Sequence, residues 1–139
     1  YPLDQNAYQC PKGMSAAEAT VNDGGVIIML ATCQDGHGGE SYYHSIADAE
    51  SADAFFQQCL HTPQVETLPD QWCAQIWCRI VRKYKVLFVA DKAQEQLIRD
   101  LKVEYFETLD EAYARARELK GPDATLTCIP NGVSVVVKD

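Results

Sequence analysis

Tyr8, Gln9 and Lys12 place a phenol, a carboxamide and an ammonium within five residues of the opening stretch YPLDQNAYQCPKGM. At i, i+1 and i+4 they can turn toward one side of a helical turn. The set offers a positive charge and several hydrogen-bond donors, the equipment for binding a small carboxylate with a neighbouring hydroxyl. A blander reading stands beside it. Pro11 fixes one backbone angle and removes a donor, so Cys10-Pro11-Lys12-Gly13 also reads as a solvated turn carrying an ordinary surface lysine.

The elements that must position these residues follow an α/β rhythm. Ser15-Ala16-Ala17-Glu18 has the form of a capping box and predicts a helix over 15–21. Val26–Leu30 and Val86–Ala90 are unbroken apolar runs of strand length, which suit strands covered on both faces of a parallel sheet. Between them the pattern predicts helices over 40–49, over 52–60 and from about Asp70 onward. The last carries Trp72, Ile76 and Ile80 at four-residue intervals, which by pattern assigns Trp72 and Trp77 to the core. Asp91 caps a helix to about Leu101, a short strand spans 103–106, and Thr108-Leu109-Asp110-Glu111 caps a last helix that ends before Gly121-Pro122. Asn131-Gly132, between β-rich runs 124–129 and 133–138, predicts a closing hairpin. The expected fold is a single α/β domain over 1–139, three layers deep, with a mainly parallel central sheet flanked by helices and a C-terminal β-hairpin.

Composition excludes several classes. At 139 residues, 47% apolar and 23% charged, the chain suits an ordinary globular domain. A net charge of −8 argues against nucleic acid as a partner. No stretch approaches the roughly 20 apolar residues of a membrane span, and no secretory signal opens the chain. Cys10, Cys33, Cys59, Cys73, Cys78 and Cys128 form no CxxC pair and sit mostly in apolar stretches, so they read as reduced thiols in a cytoplasmic protein. His37, His44 and His61 stand too far from one another and from cysteines to make a metal site at ligand spacing. Asp35-Gly36-His37-Gly38-Gly39-Glu40 follows the first strand at the sheet edge where α/β ligands gather, but it carries neither a dinucleotide nor a P-loop fingerprint. It reads as a tight turn that could line a ligand site.

Taken in order, Pro2–Gln9 with Lys12-Gly13, Ala16-Ala17-Glu18-Ala19, Gly24-Gly25-Val26-Ile27, Asp35–Glu40, and Asp70-Gln71-Trp72 with Gln75 resemble the carboxyl-terminal domain of the nickel-dependent lactate racemase family. The resemblance implies a two-domain enzyme that interconverts stereoisomers of a 2-hydroxy acid. It further implies a nickel-pincer nucleotide that takes a hydride from the substrate α-carbon and returns it to either face. The amino-terminal domain would hold that cofactor through a lysine and supply the acid and base histidines, so no catalytic or metal-binding residue is expected here. This domain would close the cleft and contribute substrate-binding residues, which by the resemblance fall on Tyr8, Gln9, Lys12 and Trp72. The missing initiator methionine, and the absence of the strand and glycines that precede Tyr1-Pro2 in the family, imply a piece of a longer protein. Two other classes stand open on the sequence: a non-catalytic α/β ligand-binding or interaction module, and a thiol- or metal-based redox protein.

Overall fold

The computed structural model describes residues 2–135. Three parallel strands, β1 (Val26–Leu30), β2 (Lys85–Val89) and β3 (Glu104–Phe106), lie in the order β1-β2-β3. Val26 pairs with Lys85 and Leu30 with Val89, while Leu87 pairs with Glu104 and Val89 with Phe106. Among the described residues the six α-helices are α1 (Cys10–Glu18), α2 (Glu40–Ala47), α3 (Ala52–His61), α4 (Gln71–Lys83), α5 (Glu95–Asp100) and α6 (Leu109–Lys120).

Side-chain alternation along β2 divides the two faces. Val86 and Phe88 belong to the main core cluster, which includes buried residues of α1, α2, α3 and α4. Leu87 is equally buried but lies outside that cluster, as does Ala112 of α6, the helix that packs along the strands. Helices therefore flank a central parallel sheet, as the apolar runs predicted. β1 departs from expectation in one respect. It is an edge strand, and only Ile27 is buried while Leu30 is 51% exposed, so its apolar run is not covered on both faces.

α4 is the keystone helix. Trp77 is fully buried, donates from Nε1 to the Leu101 carbonyl at 2.9 Å and tilts against Phe88 with ring centres 6.2 Å apart. Burying its large surface without orphaning the indole N–H satisfies both the hydrophobic and the polar requirement.

Three sequence expectations are corrected. α1 begins at Cys10 rather than Ser15: Pro11 occupies the first turn, where its missing N–H costs nothing, and Ser15 donates its hydroxyl to the Pro11 carbonyl instead of capping. The Cys10–Gly13 stretch is thus helical, with Pro11 in the first turn of α1. Residues 124–129 form no strand, and their polar backbone runs along the surface, with Arg117 donating to the Ala124 carbonyl at 2.9 Å. The second arm of the expected hairpin shows no strand through residue 135, and its last residues, 136–138, lie outside the described residues.

Candidate functional site

The opening segment is fixed by the loop after β1. Cys33 N donates to the Asp4 carbonyl at 2.9 Å and Asp35 N to the Gln5 carbonyl at 2.8 Å, while Ala7 N and Tyr8 N donate to Gly36 and His37 carbonyls at 3.0 Å each. The loop can present those carbonyls because Gly36 and Gly38 take left-handed angles, φ 70° and 77°. His37 locks the same loop, accepting from Gly39 N at 3.1 Å and stacking on Tyr43 with centres 5.1 Å apart. Asp35–Glu40 is therefore the brace that positions Ala7 and Tyr8.

From that brace the chain passes through a 3-10 turn, Ala7–Gln9, directly into α1. Ala7, Cys10 and Met14 are buried and anchor the inner face. Gln9 and Lys12 stand one turn apart on the outer side, and the Lys12 ammonium donates to Gln9 Oε1. An ammonium has no acceptor, so this contact requires the amide oxygen to face the lysine and leaves Nε2 as the amide's donor.

Tyr8 is held on several sides. Its ring meets Tyr42 edge-on at 5.5 Å and Trp72 at 6.2 Å, its carbonyl accepts a weak bond from Cys73 Sγ at 3.5 Å, and its phenol donates to Asp70 Oδ1 at 3.0 Å. Tyr42 continues edge-on to Trp77 at 6.3 Å, so an aromatic chain runs from Tyr8 through Tyr42 and Trp77 to Phe88 in the sheet. Edge-to-face contacts of this kind add about 0.5–1.5 kcal/mol each beyond area burial and fix ring orientation. Burial, followed by the Asp70 hydrogen bond, raises the Tyr8 phenol to about 12. Burial, followed by the Asp70 charge, pushes the Cys73 thiol to about 12, while the Lys12 ammonium pulls the other way. Cys73 therefore stays a neutral thiol at neutral pH.

The four residues singled out in the sequence make two contacts, Tyr8 with Trp72 and Lys12 with Gln9. Tyr8, Gln9 and Lys12 follow one another along a single turn, and the first turn of α4 brings Trp72 against Tyr8. Trp72 is 56% exposed, so the core assignment from its helical stripe is corrected: Trp77 faces the core and Trp72 faces out. Asp70 entered the sequence reading as the start of α4 and as part of the Asp70-Gln71-Trp72 motif, with no role of its own. Its backbone is left-handed, φ 59°, and its phenol partner stands 62 positions away, which spacing does not reveal.

A shallow groove at the carboxyl edge of the sheet, lined by Leu30, Thr32 and Val89 with Asp4, Asp91 and Glu107, is a poorer host for an anion. Three carboxylates and no lysine or arginine line it, whereas Lys12 gives the Tyr8–Trp72 face a cation. Among the described residues no three His, Cys, Asp or Glu side chains gather in a way that could hold a metal ion. No described helix is long and apolar enough to cross a membrane. All six cysteines are free thiols.

A parallel three-stranded α/β domain with this amino-terminal brace matches a known family. The profile of the lactate racemase C-terminal domain covers residues 1–137, and the chain belongs to that family. It is 49% identical over 138 residues to the lactate racemase of Lactiplantibacillus plantarum, covering 99% of this chain and 32% of that protein. It is 42% identical over 139 residues to the lactate racemase of Thermoanaerobacterium thermosaccharolyticum, covering 100% of this chain and 33% of that protein. The structure of the lactate racemase apoprotein from the latter organism superposes with a TM-score of 0.96 over 100% of this chain and 33% of that one, at 42% identity. The chain thus spans about a third of the length of these relatives.

Proposed function

We propose that this chain is the substrate-side domain of a 2-hydroxy acid racemase or epimerase, with lactate or a close analogue as substrate. Lys12 pairs with the substrate carboxylate as a charge-assisted hydrogen bond, and Gln9 Nε2 donates beside it. Tyr8 and the exposed indole of Trp72 wall the site. Closure of the domain onto the rest of the protein expels water and strengthens these contacts against a net charge of −8.

The observation that carries this reading is the Lys12–Gln9 contact one turn from Tyr8, whose ring meets the exposed Trp72 indole at 6.2 Å. An indole as exposed as that of Trp72 suits a face completed by another part of the protein. The reading assigns acid, base and a nickel-pincer nucleotide to the amino-terminal domain. That cofactor would supply the acceptor for a hydride from the α-carbon. Six free thiols accord with a cytoplasmic setting.

The test is racemisation of lactate and related 2-hydroxy acids by the full-length protein and its Gln9→Ala variant. Loss of one outward donor is expected to lower kcat/KM by roughly 5- to 150-fold, the equivalent of about 1–3 kcal/mol. A full-length protein inactive on every 2-hydroxy acid tried would defeat the reading in favour of a non-catalytic binding module.

A further inference from the structure

We propose that His37 is a positioning residue for the substrate-binding turn, holding it through the hydrogen-bond acceptor at its Nδ1, an inference that rests on the substrate reading above. The residue works from both ends. Its backbone carbonyl accepts from Tyr8 N at 3.0 Å, directly before Gln9 and one turn before Lys12. Its imidazole Nδ1 accepts from Gly39 N at 3.1 Å. A ring nitrogen that accepts carries no hydrogen, so this contact requires the neutral tautomer with its hydrogen on Nε2.

The side chain thereby ties the turn to a rigid footing. Gly39 is the N-cap of α2, and its carbonyl accepts from Tyr43 N at 3.0 Å. The His37 ring stacks on Tyr43 with planes 20° apart, and the Tyr43 phenol donates to Asp100 Oδ2 of α5 at 2.7 Å. Tyr42, beside it in α2, is fully buried. Tyr8 packs close over this footing: a β-carbon on Gly39 would lie 3.5 Å from Tyr8 Cδ2 and 3.6 Å from Tyr42 Cβ. On the other ring nitrogen, Glu40 Oε1 stands 3.6 Å from Nε2, too far for a hydrogen bond, so Nδ1 is the nitrogen that anchors the ring. An imidazole that accepts from the amide two residues on reproduces the contact asparagine makes in an Asx turn. Without that acceptor the Gly39 N–H loses its partner and the His37 carbonyl loses its fixed aim at Tyr8. A displacement of about 1 Å in a segment that positions substrate can cost as much as roughly 100-fold in rate.

The test compares two substitutions at His37 in the full-length enzyme, with thermal midpoints as a folding control. His37→Phe keeps a ring to stack on Tyr43 and removes the acceptor. His37→Asn removes the ring and keeps an oxygen that accepts from Gly39 N in the Asx manner. His37→Phe is expected to lower kcat/KM for racemisation about tenfold, chiefly through KM, and His37→Asn to stay within about threefold of the parent. Hydrogen exchange at the Tyr8 amide gives a readout that needs no substrate. It is expected to run about tenfold faster in His37→Phe and within about threefold of the parent in His37→Asn. Should His37→Phe fail to fold, His37→Leu, close to asparagine in shape but without an acceptor, takes its place with the same expected values.

A His37→Asn enzyme as impaired as His37→Phe would overturn the proposal, as would a folded His37→Phe enzyme with the parent's kcat/KM or the parent's exchange at Tyr8. A fall in kcat with KM unchanged would overturn it too. Lys12→Ala in the same assay separates the two levels. A large loss there with His37→Phe unaffected would retain the substrate site and discard the His37 role. An unimpaired Lys12→Ala enzyme would discard both.

Discussion

A β-carbon on Gly38 would stand 2.4 Å from Asn6 Cγ and 2.5 Å from its Oδ1, so the brace and the opening segment meet without room for an atom. Gly38 also sits at φ 77°, where a side chain is strained whatever the space. Gly38→Ala is expected to cost on the order of 2–3 kcal/mol and to displace the segment that carries Tyr8. Gly36→Ala, at φ 70° with nothing within 4 Å, keeps only the backbone cost of roughly 1–2 kcal/mol. Urea unfolding of both variants checks this, and equal losses would contradict the close approach to Asn6.

Trp77 and Trp72 should respond in opposite ways. Trp77→Ala empties a fully buried site and is expected to cost about 3–5 kcal/mol. Trp72→Ala, half exposed, is expected to shift stability by under about 1 kcal/mol while impairing the full-length enzyme. Denaturation midpoints and racemisation rates on the same samples decide it.

The pair also shows where the sequence speaks. An apolar stripe with a four-residue period located α4, but its first member, Trp72, lies at the helix end where the stripe leaves the core. Apolar runs located β1 and β2, whereas edge placement of β1 depends on strand order, a tertiary fact. The Ser15 box mimicked a helix start, but Pro11, four positions earlier, lies in the first turn of a helix already under way. Asn131-Gly132 suggested a hairpin, yet residues 124–129 pair with no strand and Gly132 instead passes over Gly13, where its β-carbon would lie 3.0 Å from Gly13 Cα. Tyr8, Gln9 and Lys12 were legible because one turn of chain holds them together. Asp70 was not, since its role arises only when α4 meets the opening segment.

Stability should fall at alkaline pH. Burial raises the Cys73 and Cys78 thiols from 9.0 to about 12 each. Below pH 9 both folded and unfolded chains keep these protons, so the contribution is fully present. Between pH 9 and 12 the unfolded chain releases them first, and stability declines by up to about 1.4 kcal/mol per pH unit per thiol. Urea midpoints under reductant from pH 8 to 11 test this. A Cys78→Ala variant is expected to show a shallower decline, and an identical slope would contradict the assignment to buried thiols.

The isolated chain should fold and yet not interconvert lactate enantiomers, because the account places acid, base and cofactor in the rest of the protein. Chiral chromatography of lactate after incubation with residues 1–139 alone measures this. Turnover above background would contradict it.

Lys12→Ala in the full-length enzyme tests the central claim most directly. Removing the ammonium leaves the substrate carboxylate unpaired in a closed cleft, which is expected to cost on the order of 2–5 kcal/mol, a 30-fold to several-thousand-fold fall in kcat/KM. Stability should move by no more than about 0.5 kcal/mol, since Lys12 is exposed and its one hydrogen bond lies at the surface. A folded Lys12→Ala enzyme that kept kcat/KM within threefold of the parent would contradict the account and return Lys12 to the status of an ordinary surface lysine.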